Sequence, residues 1–337
     1  MSKLNRVLLV GGGGYVGVEL QKLLAEANYK VIVLDTFWYH SGKWGKSDGK
    51  FVENIEYIEG DVRDREVVRN ALKEVDACIH LACISNDPSY ELNPNLAKSI
   101  NFDSFLMFTE EINKSAIKKL IFASSSSVYG VKEEENVTED LNCEPLTDYS
   151  KFKVLCEDFA LNNISDEICL TIVRPSTICG YSRRQRFDLV VNILTIGALT
   201  NNIINVEGGD QFRPNLHIKD MNASYKLILE ADPKIISRKI YNIAGENLTV
   251  LEIAKKVKSQ MEHKSEIKIL PVLDQRSYRV SGNKIATELG FLPKFSVDEA
   301  ITDIKNAYEA DKYSTLNSEF YYNIKQMKLL MSQGTIK

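Results

Sequence analysis

The chain has 337 residues, of which 44% are hydrophobic and 26% are charged, and its formal net charge at pH 7 is −4. This composition is typical of a globular protein, and the length predicts two lobes. A slightly acidic chain without a long basic tract is not expected to bind nucleic acid. No apolar run reaches the roughly 18 residues of a membrane-spanning helix, so we expect no membrane partner.

The first residues and the cysteines indicate the compartment. Residues 1–4 lead directly into an apolar segment and leave no room for a signal peptide, which predicts a cytoplasmic protein. The six cysteines are scattered and form no C-x-x-C pair. In a reducing compartment we expect them to be small buried apolar residues, and we expect no metal site.

A glycine-rich turn follows the first apolar run. Residues 7–10 predict a buried strand, residues 16–24 have apolar side chains at helical spacing, and between them lies the sequence GGGGYVG at 11–17. Gly11, Gly14 and Gly17 are then placed for a tight turn, a close approach to a pyrophosphate and close helix packing. The N–H groups at the start of the helix would bind the phosphates. This segment therefore predicts a dinucleotide site.

Asp35 ends a second apolar strand, residues 30–35. An acidic side chain about 20 residues after such glycines accepts hydrogen bonds from the adenosine ribose hydroxyls. It would repel a 2′-phosphate, and the next residues supply no arginine, so NAD is favoured over NADP. The alternative is an ordinary strand-end or N-cap residue. Residues 38–50 are expected to form an exposed loop.

Strands and helices alternate over the rest of the first half. We predict strands at 55–62, which ends in Asp61 and Val62, and at 77–82, 119–123 and 168–175. Helices are expected at 64–75 and 96–116. Such alternation predicts a doubly wound parallel α/β sheet. His80 lies in an apolar strand and is interpreted as a packed side chain, whereas Asn101, in the middle of a helix, calls for an explanation.

Hydroxyl, phenol and amine groups converge after the fifth strand. Ser124, Ser125, Ser126 and Ser127 follow that strand at the sheet edge where open α/β sheets bind ligands. Tyr149 and Lys153 are four residues apart at the start of a predicted helix, so they share one face. A lysine ammonium beside a phenol lowers the tyrosine pKa and suits it to proton transfer. A serine hydroxyl could bind the same substrate oxygen.

The character of the chain changes after residue 180. We place an NAD-binding domain at 1–180, with a returning strand near 239–245, and a smaller C-terminal substrate lobe at 181–337. Helices are predicted at 187–199, 250–261 and 297–308, followed by a peripheral helix within 313–337. Arginine is a good planar donor for diphosphates. Arg213 and Arg276 are our candidates for the substrate, while Arg183, Arg184, Arg186 and Arg279 could each be surface charges.

Together these residues resemble an extended short-chain dehydrogenase/reductase of the NAD-dependent epimerase/dehydratase family, which acts on nucleotide sugars. The resemblance covers nearly the whole chain and is carried by GGGGYVG at 11–17, GDVRD at 60–64, HLA at 80–82, Asn101, the segment 124–130 and YSKFK at 149–153. It implies a Rossmann-like fold and a homodimer formed by the helices that contain Asn101 and Tyr149.

The resemblance also implies residue roles. Tyr149 would be the catalytic base, Ser125 its hydroxyl partner, and Lys153 would bind the nicotinamide ribose. Asn101 would support the active-site helix. The cofactor set implied in this way is Gly11, Gly14, Tyr15, Val16, Gly17, Asp35, Asp61, Val62, Leu81, Ala82, Asn101, Tyr149 and Lys153. Candidates for the nucleotide-diphosphate sugar are Ser125, Ser126, Arg213 and Arg276.

Departures from the family pattern narrow the reaction. Nucleotide-sugar 4,6-dehydratases carry Asp-Glu directly after the catalytic hydroxyl residue, and here Ser126 and Ser127 stand there, so elimination of water is not expected. The segments 174–192 and 213–218 are similar to GDP-heptose 4-dehydrogenases. Oxidation of a sugar hydroxyl at C4, with net 4-epimerisation, is our first expectation. A 4-dehydrogenase that releases the keto sugar is the alternative, and a non-catalytic NAD-binding protein or an NADP-linked reductase is disfavoured.

Overall fold

The computed structural model describes residues 4–39, 54–85, 87–261, 265–271, 276–313 and 319–336. Most of the predicted loop at 38–50 lies outside these residues. Within them, the strands in chain order are β1 (Arg6–Val10), β2 (Lys30–Asp35), β3 (Ile55–Glu59), β4 (Ala77–His80), β5 (Lys119–Ala123), β6 (Cys169–Pro175), β7 (Thr177–Cys179), β8 (Ile203–Glu207), β9 (Phe212–His217), β10 (Lys239–Ile243), β11 (Asn247–Thr249) and β12 (Glu266–Leu270).

Seven strands form one parallel sheet in the order β3-β2-β1-β4-β5-β6-β10. The order reverses between β1 and β4, and a crevice opens at such a point beyond the carboxyl ends of the strands. The predicted doubly wound, Rossmann-like sheet is therefore confirmed. The returning strand is also confirmed, because β10 pairs with β6.

Helices cover both faces of this sheet. In chain order the helices of the described residues are α1 (Tyr15–Glu26), α2 (Arg65–Ala71), α3 (Asp87–Glu91), α4 (Pro94–Lys98), α5 (Ser104–Asn113), α6 (Asp148–Asn163), α7 (Val190–Asn201), α8 (Ile218–Glu230), α9 (Pro233–Ile236), α10 (Val250–Ser259), α11 (Asn283–Leu289), α12 (Val297–Glu309) and α13 (Asn323–Ser332).

Strand β1 shows how one apolar run serves two cores. Leu8 and Val10 pack into the cluster with α2, α5 and α6, while Val7 and Leu9 pack into the cluster with α1 and α8. Alternate side chains of a strand point to opposite faces. An all-apolar run is therefore what a strand buried on both faces requires.

The predicted helix at 96–116 is interrupted. A π-helical turn over Ser99–Asp103 joins α4 to α5 and contains Asn101. Single π turns often occur at functional sites. The Asn101 side chain here makes hydrogen bonds that lie outside the helix.

The second lobe has small sheets of its own. Strands β11, β9 and β7 form one sheet, and β8 pairs in parallel with β12. Helices α7, α10 and α12 supply their apolar faces to one core cluster with Cys179 and Ile204. The lobes interleave along the chain, because β7 pairs with β9 while α8 packs beside α1 on the large sheet.

The C-terminal helix is not peripheral, and that expectation was wrong. Met327 of α13 is fully buried, and Leu330 joins the same core cluster as α5 and α6. Apolar side chains at i and i+3 give α13 one buried face, and this face packs into the helix layer that covers the sheet. In the described part of the chain, no helix is both long and apolar enough to cross a membrane.

Candidate active site

A cleft of about 1410 Å³ runs along the carboxyl ends of the strands and into the second lobe. Sites for single drug-sized ligands are roughly 300–1,000 Å³, so this cleft has room for more than one such molecule. Its wall includes most residues expected at the cofactor, namely Gly11, Gly14, Tyr15, Val16, Gly17, Asp35, Asp61, Val62, Leu81, Ala82 and Tyr149. It also includes Ser125, Ser126, Arg213 and Arg276.

The backbone geometry of the turn at 11–17 requires glycine at two positions. Gly11 has φ +78°, and a Cβ there would lie 2.5 Å from the backbone of Ala82. A Cβ at Gly17 would lie 2.5 Å from the carbonyl oxygen of Gly12. Gly14 is the N-cap of α1, and no side chain caps this helix end. The turn therefore exposes a helix N-terminus to the cleft, as phosphate binding requires.

Asp35 connects the end of β2 to that turn. Its carboxylate accepts hydrogen bonds from the backbone N–H of Gly13 and of Phe37, both at 2.8 Å. Burial raises the pKa of Asp35, and the backbone N–H groups oppose this shift. A carboxylate so held keeps further lone pairs for ligand hydroxyls, which fits a ribose.

Asp61 is a second carboxylate of the cleft wall. The Arg63 guanidinium donates to it through Nε at 3.0 Å and Nη2 at 2.6 Å. Burial opposes ionisation of Asp61, but the hydrogen bonds and charge of Arg63 outweigh it, and the pKa lies below the ordinary value. Asp61 is thus a fixed hydrogen-bond acceptor beyond β3.

Ser125 begins the short 3₁₀ turn at Ser126–Tyr129. Its Oγ accepts a hydrogen bond from the N–H of Ser127 at 3.1 Å and lies 2.9 Å from the Ser127 Oγ. Two contacts fix one rotamer of the hydroxyl at the end of β5. Ser124, in contrast, donates to the buried Glu157 and points away from this pair.

Tyr149 lies in the first turn of α6, where Thr147 and Ser150 form a capping box. One turn later, the Lys153 ammonium donates to the carbonyl oxygen of Ala123 at 2.7 Å and lies 5.9 Å from the centre of the Tyr149 ring. Lys153 is buried behind the cleft wall. Helical spacing and the end of β5 therefore bring phenol, ammonium and Ser125 to one place.

Asn101 does not reach the cleft wall. Its side chain accepts from the N–H of Ile84 at 2.7 Å and donates to the Ile84 carbonyl at 3.0 Å. Its own carbonyl accepts a hydrogen bond from the Cys156 thiol of α6 at 3.3 Å. Asn101 thus connects the segment after β4, which contains Leu81 and Ala82, to the helix that carries Tyr149.

His80 is packed, as expected. Its ring meets Phe105 and Phe108 edge to face at 5.3 and 4.8 Å between centroids. Burial lowers its pKa to about 3. Four of the six cysteines are buried, Cys83 and Cys143 are partly exposed, and all six are free thiols.

Of the arginines at 213, 276 and 279, the first two lie in the cleft wall and the third does not. Arg213 donates to the backbone carbonyls of Phe212 and Arg276, so Arg213 and Arg276 stand side by side in the cleft wall. Arg279 is elsewhere, over the Phe212 ring at 4.8 Å. The neighbouring positions Asp274 and Gln275 lie outside the described residues. In the part of the chain that is described, no cluster of three or more His, Cys, Asp or Glu could hold a metal.

Sequence reasoning missed several cleft residues because each comes from a distant part of the chain. Trp38, Tyr39, Arg184, Arg186 and Asn323 all contribute to the wall. The sequence signal for the two arginines was only a local basic run, and nothing in the sequence linked that run to the C-terminal helix.

Comparison with known proteins decides the family. The sequence model of the NAD dependent epimerase/dehydratase family matches residues 7–244. The chain belongs to this family. It is thus an NAD-dependent enzyme of the extended short-chain dehydrogenase/reductase type, and the glycine turn, Asp35 and Asp61 fit that cofactor.

Individual relatives are distant. The chain is 26% identical to a UDP-glucose 4-epimerase of Lactobacillus helveticus over 75% of this chain and 81% of that protein. It is also 26% identical to UDP-glucose 4-epimerase GEPI48 of Cyamopsis tetragonoloba, over 93% and 97% of the two chains. The solved UDP-glucuronic acid 4-epimerase of Bacillus cereus, in complex with UDP-glucuronic acid and NAD, shares the fold with a TM-score of 0.80, 24% identity, and 90% and 99% coverage.

Proposed function

We propose that this chain is a nucleotide-sugar 4-epimerase: it oxidises the C4 hydroxyl of a nucleotide-diphosphate sugar and then reduces the ketone from the other side. The observation that carries the proposal is the placement of Tyr149 and Ser125 on one cleft wall, with the Lys153 ammonium fixed by Ala123 behind them. The 4-epimerase names of the relatives support this outcome.

Residues of this chain remove the proton from the C4 hydroxyl. Tyr149, as phenolate, accepts the C4 hydroxyl proton, and the Ser125 hydroxyl donates a hydrogen bond to the same oxygen as the ketone forms. The Lys153 ammonium stabilises the phenolate. The glycine turn, Asp35 and Asp61 would hold NAD, which would supply a reversible acceptor for the C4 hydride, so the net reaction would need no external oxidant. Arg213 and Arg276 bind the sugar nucleotide's diphosphate.

The same residues argue against loss of water. Elimination needs an acid and a base at the neighbouring carbons, and the positions after Ser125 are Ser126 and Ser127, both buried hydroxyls. The buried carboxylate of Glu157, which accepts from the adjacent Ser124, is also hydrogen-bonded to Arg174. The proposed product therefore has the mass of the substrate.

A C4-deuterated panel of UDP-, GDP-, dTDP- and CDP-sugars tests this. Epimerisation gives a product of unchanged mass with inverted C4 that keeps its deuterium. Loss of deuterium to the cofactor with release of a keto sugar would instead make the protein a 4-dehydrogenase, and loss of water would contradict the argument from Ser126 and Ser127.

Two variants test the residue roles. Tyr149→Phe removes the proton acceptor and should lower kcat by about 10²–10⁴-fold while NAD stays bound. Tyr29→Phe is the matched control, because its hydroxyl bonds Glu230 at the far end of β2. The same absence of turnover in Tyr149→Phe and in wild type with every sugar would support a non-catalytic NAD-binding protein.

The homodimer and the cytoplasmic location stay predictions. For the dimer we propose the surface of α6 and the adjoining α4–α5 segment. Leu155 of α6 has 46% of its surface exposed, so an apolar side chain is available there.

A further inference from the structure

Arg184 is a buried cation with no anionic partner among the described residues. It is 3% exposed and lies in the cleft wall. Its Nη2 donates to Asn323 Oδ1 at 2.6 Å, its Nη1 reaches only the Gln185 carbonyl at 3.5 Å, and its guanidinium lies 4.0 Å from the centre of the Tyr39 ring. Within the described chain its Nε has no hydrogen-bond partner. A buried charge without a direct ion-pair partner among the described residues is costly and favours an anionic ligand.

The charge of the neighbouring Arg186, in contrast, is balanced by a carboxylate. Arg186 donates to both oxygens of Asp188, at 2.9 and 3.1 Å, and to Ser85 at 2.9 Å. Burial opposes its charge, but Asp188 outweighs burial and holds the Arg186 pKa above its ordinary value. Burial lowers the pKa of Arg184 to about 10. The two arginines share one cleft. Among the described residues, each guanidinium nitrogen of Arg186 has a hydrogen-bond partner, whereas Nε of Arg184 has none.

The segment that carries Arg184 is fastened to the start of α1. The Ser182 hydroxyl donates to the Tyr15 carbonyl at 2.7 Å, and the Arg183 N–H donates to Glu19 at 2.8 Å. The Tyr15 hydroxyl donates to the Gly180 carbonyl at 2.6 Å. These bonds hold residues 180–186 beside the helix N-terminus that faces the cleft. The Arg184 charge also acts on the Asp35 carboxylate.

The C-terminal helix completes this arrangement. Asn323, its first residue, contacts both Arg184 and Ser85, and Gln326 donates to the Trp38 carbonyl at 2.7 Å. Helix α13 therefore orients Arg184 and closes the side of the cleft next to Asp35.

We propose that Arg184 binds the diphosphate of NAD and that Asn323 and Tyr39 are its positioning residues. A guanidinium fork matches two phosphate oxygens, and the Nε is free to join such a pair. We assign the ligand as the cofactor's diphosphate for two reasons. Residues 180–186 are hydrogen-bonded to the start of α1, the helix that follows the glycine turn, and the Arg184 charge acts on the Asp35 carboxylate. The diphosphate of the sugar nucleotide and the 2′-phosphate of NADP offer similar chemistry, and the experiment separates them.

Arg184→Met keeps much of the side-chain volume over Tyr39 and removes the charge. We expect NAD to bind about 10- to 100-fold more weakly, as loss of a charge-assisted hydrogen bond predicts. The readouts are NAD per chain after purification, the exchange rate of bound NAD with labelled NAD, and the rise in Tm when NAD is added. Arg183→Met is the matched control, because Arg183 is not part of the cleft wall.

Asn323→Asp separates cofactor binding from folding. The new carboxylate would pair with Arg184, so the protein without NAD should melt at the same or a higher temperature, while NAD exchanges faster. A purely structural role predicts the opposite for Arg184→Met: a lower Tm without NAD and an unchanged NAD exchange rate. Lys328→Gln, on the exposed side of α13, is the control for this helix.

Three outcomes would overturn the proposal. The first is that Arg184→Met retains NAD and exchanges it at the wild-type rate. The second is that UDP or GDP binding weakens while NAD binding does not, which would assign Arg184 to the sugar nucleotide. The third is that NADP affinity falls more than NAD affinity, which would assign it to a 2′-phosphate.

Discussion

Replacing Glu157 by glutamine should be among the most destabilising isosteric changes in this protein. The Glu157 carboxylate accepts two hydrogen bonds from Arg174, at 3.0 Å from Nε and 2.5 Å from Nη2, and a third from Ser124. The two charged side chains are 2% and 6% exposed. Arg174 also donates to Tyr129, whose hydroxyl donates to Asn242 of β10. The network joins α6, β5, β6 and β10 behind Ser125.

The magnitude follows from burial. Glutamine cannot compensate the Arg174 charge, and breaking one side of a buried ion pair costs about 3–5 kcal/mol of unfolding free energy. With an unfolding entropy of roughly 2.1 cal/mol/K per residue, this corresponds to a fall in Tm of about 4–7 °C for a chain of this length. An exposed pair contributes about 0–1 kcal/mol.

Urea and thermal unfolding of the holoenzyme, at fixed NAD concentration, measure the change. Glu26→Gln is the control, because Glu26 forms an exposed i,i+4 pair with Lys22. The double variant Glu157→Gln/Arg174→Met should recover part of the loss, since it removes the stranded charge. A Glu157→Gln protein as stable as Glu26→Gln would refute the reasoning.

Two further predictions concern pH and assembly. Because the folded chain keeps His80 neutral, with a pKa of about 3, while the unfolded chain takes up a proton below pH ~6.5, stability should fall with pH below that value, by up to about 1.4 kcal/mol per unit. His80→Leu should make the pH dependence of unfolding free energy shallower in that range, and an unchanged slope would contradict this. Leu155→Glu should convert the predicted dimer to monomer in light scattering; Leu292→Glu, at 67% exposure, is the control, and a monomeric wild type would remove the prediction.

Local patterns predicted a large part of the fold and of the candidate site. Buried strands, the glycine turn and the alternation of elements predicted the sheet and β10. The four-residue spacing of Tyr149 and Lys153 placed them on one helix face, as found in α6. The sequence also located the carboxylates Asp35 and Asp61 at strand ends, where the structure has them facing the cleft. These features depend on residues close in the chain, whose geometry is fixed by helix and strand periodicity.

What the sequence alone determined, then, was the elements and the motifs within them; the tertiary structure decided which distant segments meet. Packing between distant segments decided the pairing of β7 with β9 and the burial of α13. It also brought Arg184 into contact with Tyr39 and Asn323, each more than 100 residues away in the chain. Within a basic run such as 183–186, the local sequence does not predict which arginine lies at the surface and which lies in a cleft. That choice is made by burial and by the partners available there, and both exist only once the chain has folded.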